Sequence, residues 1–280
     1  MKRWFLLSFV CLVACIGCQW QLRPNGDAEE DEGIVIERFD QVEMLYLTTG
    51  DFAALQQMKT GYPSETRALI EDVLRLGRVD ESDINVRFLL FFQDSTLQCL
   101  MGDVEKQYRE VDDLNGQLSE AFARLQHLLP SVEMPRVYTQ IGSLDQSIVV
   151  DDGMLGISLD KYLGKDYPAY LRYGYTEEQR AMMTRQFIVP DCISFYLLNR
   201  YPLIVGETET ADSVALYQAR RNHMGRIQWV VNRVLERPVF QQDEVRLVET
   251  YMNSHPDMSI DELLTMPVFS SMAVMADGSF

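Results

Sequence analysis

Histidine is the usual side chain for general-base work and metal ligation near neutral pH, and this 280-residue chain has three: His127, His223 and His255. None lies within four residues of another, so no H-x-x-x-H pair can set two imidazoles on one helical turn. The spacing predicts isolated surface or capping histidines, with no metal and no other cofactor. G-x-S-x-G, Walker and G-x-G-x-x-G patterns are also missing, which leaves no sequence signature of a nucleophile elbow or a phosphate loop. Asp145, Asp151, Asp152 and Asp160 bring four carboxylates into sixteen residues, oxygens of the kind Ca²⁺ takes. They lack the alternating order of an EF-hand, and Asp152-Gly153 is ordinary turn chemistry, so a turn is the expected reading. Arg220, Arg221, Arg226 and Arg233 put positive charge along one helical stretch of an acidic chain. An ion-paired or solvated face is expected there, with docking of an acidic partner as the alternative.

The elements that must position these residues are mostly helical. Asp51 reads as an N-cap for a helix that Gly61-Tyr62-Pro63 stops. Leu69, Val73, Leu74 and Leu76 make an apolar face ended by Gly77, and Val86 to Phe92 is apolar enough for a buried helix. Leu114, Leu118, Ala121, Phe122, Leu125, Leu128 and Leu129 recur at three and four and predict an amphipathic helix closed by Pro130. The period then changes. Residues 136–142, 146–150 and 155–159 are β-rich, and Asp151-Asp152-Gly153 between the last two predicts a hairpin. Ile34-Val35-Ile36 is a further candidate strand. From about Thr176 the chain is expected to stay helical, with one long helix over Val214 to Leu235 and another stopped by His255-Pro256. The fold class is therefore α+β, predominantly helical, around a small, partly antiparallel sheet.

Composition sets the setting. At 47% hydrophobic residues the chain can build a substantial core, and its net charge of −17 repels nucleic acid. Lys2 and Arg3 precede an apolar run from Trp4 to Ala14, interrupted by Ser8 alone, the pattern of a secretory signal too short to span a bilayer. It ends in small residues followed by cysteine, the bacterial lipobox, so lipidation (palmitate or similar chains) is expected at Cys15 or Cys18. The upstream residues favour Cys15, and the usual signal length favours Cys18. Residues 1–18 are read as the signal and lipobox, 19–33 as an acidic tether and 34–280 as a single domain. The expected localisation is the cell envelope, anchored by lipid, at the outer membrane. Cys99 and Cys192 remain in the body, equally suited to a disulfide or to two separate thiols.

Several stretches closely resemble one family. Val137-Tyr138-Thr139, Leu144-Asp145-Gln146-Ser147-Ile148-Val149-Val150 and Leu155-Gly156-Ile157-Ser158-Leu159-Asp160-Lys161-Tyr162-Leu163-Gly164 resemble the core of GldB, the gliding-motility-associated lipoproteins of Bacteroidota. Ile188-Val189-Pro190-Asp191-Cys192 and Tyr201-Pro202 look like its next helix. The family is distantly similar to zincin-type metallopeptidases, which carry H-E-x-x-H on the helix after an edge hairpin. Here that helix reads Asp191-Cys192-Ile193-Ser194-Phe195-Tyr196-Leu197, with no histidine. The resemblance implies a zincin-like body without catalysis, a pseudo-peptidase, acting by protein contacts in gliding motility or linked type IX secretion. Its implied partners are envelope proteins. The alternative is a divergent metal-dependent peptidase or hydrolase with carboxylate ligands. The expected contact surface is the hairpin and the segment behind it: Asp145, Gln146, Asp151, Asp152, Asp160, Lys161, Tyr162, Tyr167, Tyr170 and Tyr173. At their spacing the tyrosines serve equally as interface anchors or as packing against the sheet.

Overall fold

Among the described residues six α-helices precede the sheet, because the chain reaches its β-rich stretch only after residue 135. The computed structural model describes residues 33–204 and 213–266, so Cys15, Cys18 and nearly all of the expected tether lie outside the described residues. Helix α1 (Phe39–Thr49) closes on Gly50, whose left-handed φ of 69° lets its N–H reach Tyr46 O. Asp51 then caps α2 (Phe52–Gly61) by accepting from Ala53 N and Ala54 N, as its sequence position predicts. Pro63 starts α3 (Pro63–Arg67), which runs into a wide π turn at Ala68–Val73. Helices α4 (Ile84–Phe91), α5 (Ser95–Gln107) and α6 (Asp112–Leu128) follow. The apolar repeat of α6 buries Leu114, Leu118, Ala121, Phe122 and Leu125.

Helix α4 is less buried than its composition predicts. Ile84 and Phe88 face the core, whereas Val86 and Leu90 are 57% and 56% exposed. A helix of eight residues with one neighbour-facing stripe cannot hide residues on both sides.

Strands β1 (Arg136–Gln140), β2 (Ile148–Asp151) and β3 (Met154–Ser158) form one sheet in the order β1-β3-β2. The expected hairpin is β2–β3, antiparallel, with Gly153 at φ 72° in its turn, and β1 pairs with β3 in parallel. Every residue of β3 is buried, as a strand paired on both edges and covered by helices should be. Its Gly156 lies opposite Tyr138 in the register, and a Cβ there would come within 2.4 Å of the Tyr138 ring. Ile34 to Ile36 make no strand. The segment touches β1 at a single parallel bridge, Glu37 to Tyr138, because Ile36 N–H donates to Asn115 Oδ1 instead of to a strand and α1 begins at Phe39.

Beyond the sheet come α7 (Pro168–Arg172), α8 (Glu177–Met182), α9 (Ile188–Arg200), α10 (Ser213–Leu235), α11 (Asp243–Ser254) and α12 (Ile260–Thr265). Helix α9 packs on β2 and β3, and α10 packs on α6, α9, α11 and α12. The fold is thus helical α+β around a small mixed sheet. Cys99 is exposed and Cys192 is buried, both as free thiols, so the disulfide alternative does not form.

Candidate functional site

Strand order creates the site. β1 ends beside the end of β3, and β2 starts there too, so the β1–β2 connection must straddle the C-terminal end of β3. The chain leaving β3 as a tight turn at Leu159–Tyr162 therefore emerges beneath that loop. Asp160, fully buried, accepts from the loop's Gly142 N at 2.7 Å and Leu144 N at 2.5 Å. The carbonyl of Leu144 accepts from Lys161 Nζ at 3.2 Å and from the Tyr175 hydroxyl at 2.6 Å. Lys161 also donates to that hydroxyl and lies 4.5 Å from the Tyr175 ring centre. One turn earlier, Ile141 N donates to Oε2 of the buried Glu43 at 2.9 Å. These ties hold Ser143 at φ 50° and Leu144 at φ 67°, left-handed values that cost a side-chain-bearing residue energy. A strained backbone persists only where its surroundings over-determine it, and here both polar groups of Leu144 are held by side chains.

Beside the loop opens a cavity of about 270 Å³. Lys161, Tyr162 and Tyr175 form one wall, and α9 supplies Asp191, Ser194, Phe195 and Leu198. The Tyr162 hydroxyl donates to Asp191 Oδ2 at 2.8 Å. Burial pushes the Asp191 carboxyl up to about 7, against the opposing pull of Tyr162 and Lys161, so it changes charge in the physiological range. Burial likewise raises the Asp160 and Glu43 carboxyls, the amides of Gly142, Leu144 and Ile141 working in the other direction.

A carboxyl that titrates near 7 can serve as acid or base, yet among the described residues beside it none is an activated nucleophile. Ser194 spends its hydroxyl on Pro190 O at 2.8 Å. The Cys192 thiol is pushed well up by burial and by Asp191, which keeps it protonated and inert. The four α9 side chains on the cavity include no imidazole. His127 is exposed in the last turn of α6, His223 is buried against Tyr201 O, and His255 caps α11 and stacks on Tyr251. Among the described residues, no group of three or more His, Cys, Asp or Glu is placed to hold a metal ion.

The structure separates the residues expected at an interface. Asp145, Asp151, Asp152 and Tyr173 are exposed, and Gln146, Lys161 and Tyr167 are partly so. Asp160, Tyr162 and Tyr170 are buried. Their polar groups are spent internally: the Tyr170 hydroxyl donates to Asp160 O, and Tyr162 O accepts from Tyr108. These three therefore lie beneath the loop, Tyr162 also on the cavity wall. The four aspartates do not converge on a calcium site either, since Asp160 faces backbone amides while Asp151 and Asp152 sit in the exposed turn.

Two features of the site are not marked by residue spacing. Asp191 carries its signal in its setting, a lone acid between Pro190 and Cys192 on a helix that is apolar nearly all round. The left-handed Ser143-Leu144 pair carries none, because leucine is a poor residue for that conformation and only tertiary ties explain it.

A family model described as gliding motility protein GldB matches residues 21–219. That span contains the straddling loop, Asp160 to Tyr175 beneath it and the whole of α9. No curated protein and no solved structure matches the chain. Among the described residues no helix is long and apolar enough to cross a membrane. The match covers well over half of the chain, with the loop and cavity inside it, and the chain therefore belongs to the GldB family of gliding-motility lipoproteins.

Proposed function

We propose that this protein is a non-catalytic envelope lipoprotein that works by protein contacts in gliding motility or the linked type IX secretion machinery. The observation that carries the reading is the β1–β2 loop. Asp160, Lys161 and Tyr175 fix its backbone from below, leaving Asp145 exposed at one end of the sheet, with the exposed hairpin turn at Asp151 and Asp152 at the other. A surface held rigid before a partner arrives loses little entropy on docking. Family membership supports the motility setting. Lipidation at Cys15 or Cys18, with an acidic tether behind it, gives the anchor. The outer membrane is the proposed site, and the zincin-like scaffold is proposed as one reused without its chemistry.

Asp191 is the observation on the side of the other reading, a divergent metal-dependent hydrolase, because its carboxyl titrates where a base must. Metal content of the full-length protein, purified in detergent without chelator, separates the two. Substoichiometric metal and no Asp191-dependent hydrolysis of a casein substrate is the expected result. Stoichiometric zinc, or hydrolysis lost in Asp191→Asn, would overturn the contact reading.

A further inference from the structure

Three arginines of α10 are engaged within the fold. Arg221 pairs with Glu244 at 2.5 Å, and Arg233 lies over the Trp229 ring. Arg226 is buried rather than solvated, and its Nη1 ties α12 down through Leu263 O at 3.0 Å and Met266 O at 2.7 Å. Open polar atoms are found instead on the cavity beside the pinned loop.

Helix α9 faces that cavity with Asp191, Ser194, Phe195 and Leu198, a stripe at spacings of three and four. Pro190 and Cys192 on either side of Asp191 are buried, so its remaining accessible surface belongs to this stripe. Oδ2 takes the Tyr162 hydroxyl, whereas Oδ1 has no hydrogen-bond partner among the described residues and is still accessible. From α10, Met224 and Gln228 lie four residues apart on the same cavity. The half-buried Gln228 amide is likewise open and without a partner among the described residues. Most of the remaining wall is apolar, with Met182, Met183, Phe195, Leu198 and Phe240, and methionine adapts readily to the shape of a guest.

Among the described residues, the titratable groups that face the cavity with Asp191 are Lys161, Tyr162 and Tyr175; α8 and α10 add none. Lys161 Nζ donates to Leu144 O and to the Tyr175 hydroxyl, which occupies two of its three protons. An open carboxylate oxygen in a largely apolar space calls for a donor that carries positive charge, since charge-assisted hydrogen bonds are about twice as strong as neutral ones. If Asp191 gives up its proton as a cation enters, the net charge of the cavity is unchanged. At about 270 Å³ the space falls at the small end of the roughly 300–1,000 Å³ of ligand pockets, the size for a single residue.

We propose that this cavity binds a primary ammonium carried on a short apolar group, with the ammonium on Asp191 Oδ1, Gln228 as a further acceptor, and the apolar group among Phe195, Met224 and Phe240. Two sources share this chemistry: a free apolar amino acid, whose carboxylate would take the third Lys161 proton, and the N-terminus of a peptide. The site is independent of the contact reading, which rests on the exposed loop.

The test is calorimetric titration of the full-length protein in detergent with leucine, leucinamide and N-acetylleucine. It is run at pH 5.5 and pH 7, in buffers of different protonation enthalpy. One-to-one binding of leucine or leucinamide is expected, at least tenfold tighter than N-acetylleucine at pH 7. Asp191 holds its proton up to about pH 7. Binding at pH 5.5 should therefore release close to one proton per ligand and be about tenfold weaker than at pH 7. The tighter of leucine and leucinamide identifies the source. Asp191→Asn is expected to lose the proton release and to weaken binding at least tenfold. Should that variant not fold, proton release from the native protein decides. No binding, binding without proton release at pH 5.5, or N-acetylleucine bound as tightly as the amines overturns the proposal.

Discussion

Asp160 is a fully buried carboxyl and Asp191 a half-buried one on a cavity wall, and they differ in what surrounds them. Asp191 faces a cavity and one phenol, and its carboxyl rises to about 7 from an unfolded value near 3.9. Between those two values the native state keeps a proton that the unfolded chain has released. Its contribution to stability is therefore fullest below about pH 4, declines as pH rises and levels off above about 7, a swing of at most ~4 kcal/mol. Asp191→Asn keeps an acceptor for Tyr162 and removes the charge. Urea unfolding at pH 5, 6.5 and 8 should show a smaller decline in the variant and a higher midpoint at pH 8 than in the native protein. An unchanged slope would mean that Asp160 and Glu43, raised by burial in the same direction, dominate. Asp160 has a structural duty, receiving two amides of a left-handed turn. Asp160→Asn points an amide donor at a backbone donor, and a loss of roughly 2–4 kcal/mol is expected by the same unfolding measurement.

At the scale of elements, close approach replaces polarity as the deciding effect. The Tyr138 ring lies over Gly156 in the centre of the sheet, and both are buried. Gly156→Ala should cost about 1–3 kcal/mol by overpacking, and trimming the ring with Tyr138→Leu should recover part of it in the double mutant. Asp51→Ala should cost about 1 kcal/mol through the lost cap of α2, with Asp51→Asn near neutral. Local signals of this sort were legible in the sequence: the Asp51 cap, the α6 stripe, the Asp-Gly hairpin and the stop at His255-Pro256 each rest on neighbours within a turn or two. The straddling loop was not, because its conformation depends on strand order, which brings Asp160 under Gly142 from eighteen residues away. The tyrosines show the same divide. Their spacing fits surface or interior equally, and the fold buries Tyr162 and Tyr170 while leaving Tyr173 outside. Arg226 was in the list of helical arginines, but its place on the stripe of Ala219, His223, Ile227 and Val230 was the clue to its burial.

For the whole molecule, the charge of −17 disfavours electrostatic adhesion to anionic lipid, so the proposed envelope location rests on the proposed acyl chains. Cys15→Ser and Cys18→Ser, made separately, should divide cleanly: one moves the protein from the detergent phase to the aqueous phase in a partition assay, and the other leaves it. Loss in neither would refute the anchor. In the proposed function the body acts through contacts at the pinned loop and the exposed segment after it. The most direct test is photo-crosslinking in native cells, with a photoreactive residue placed at Asp145 or Tyr173 and, as a control, at exposed Lys59 on α2. A discrete adduct of higher mass from Asp145 or Tyr173, and none from Lys59, is the expected result. No adduct from either position, or the same pattern from all three, would contradict it.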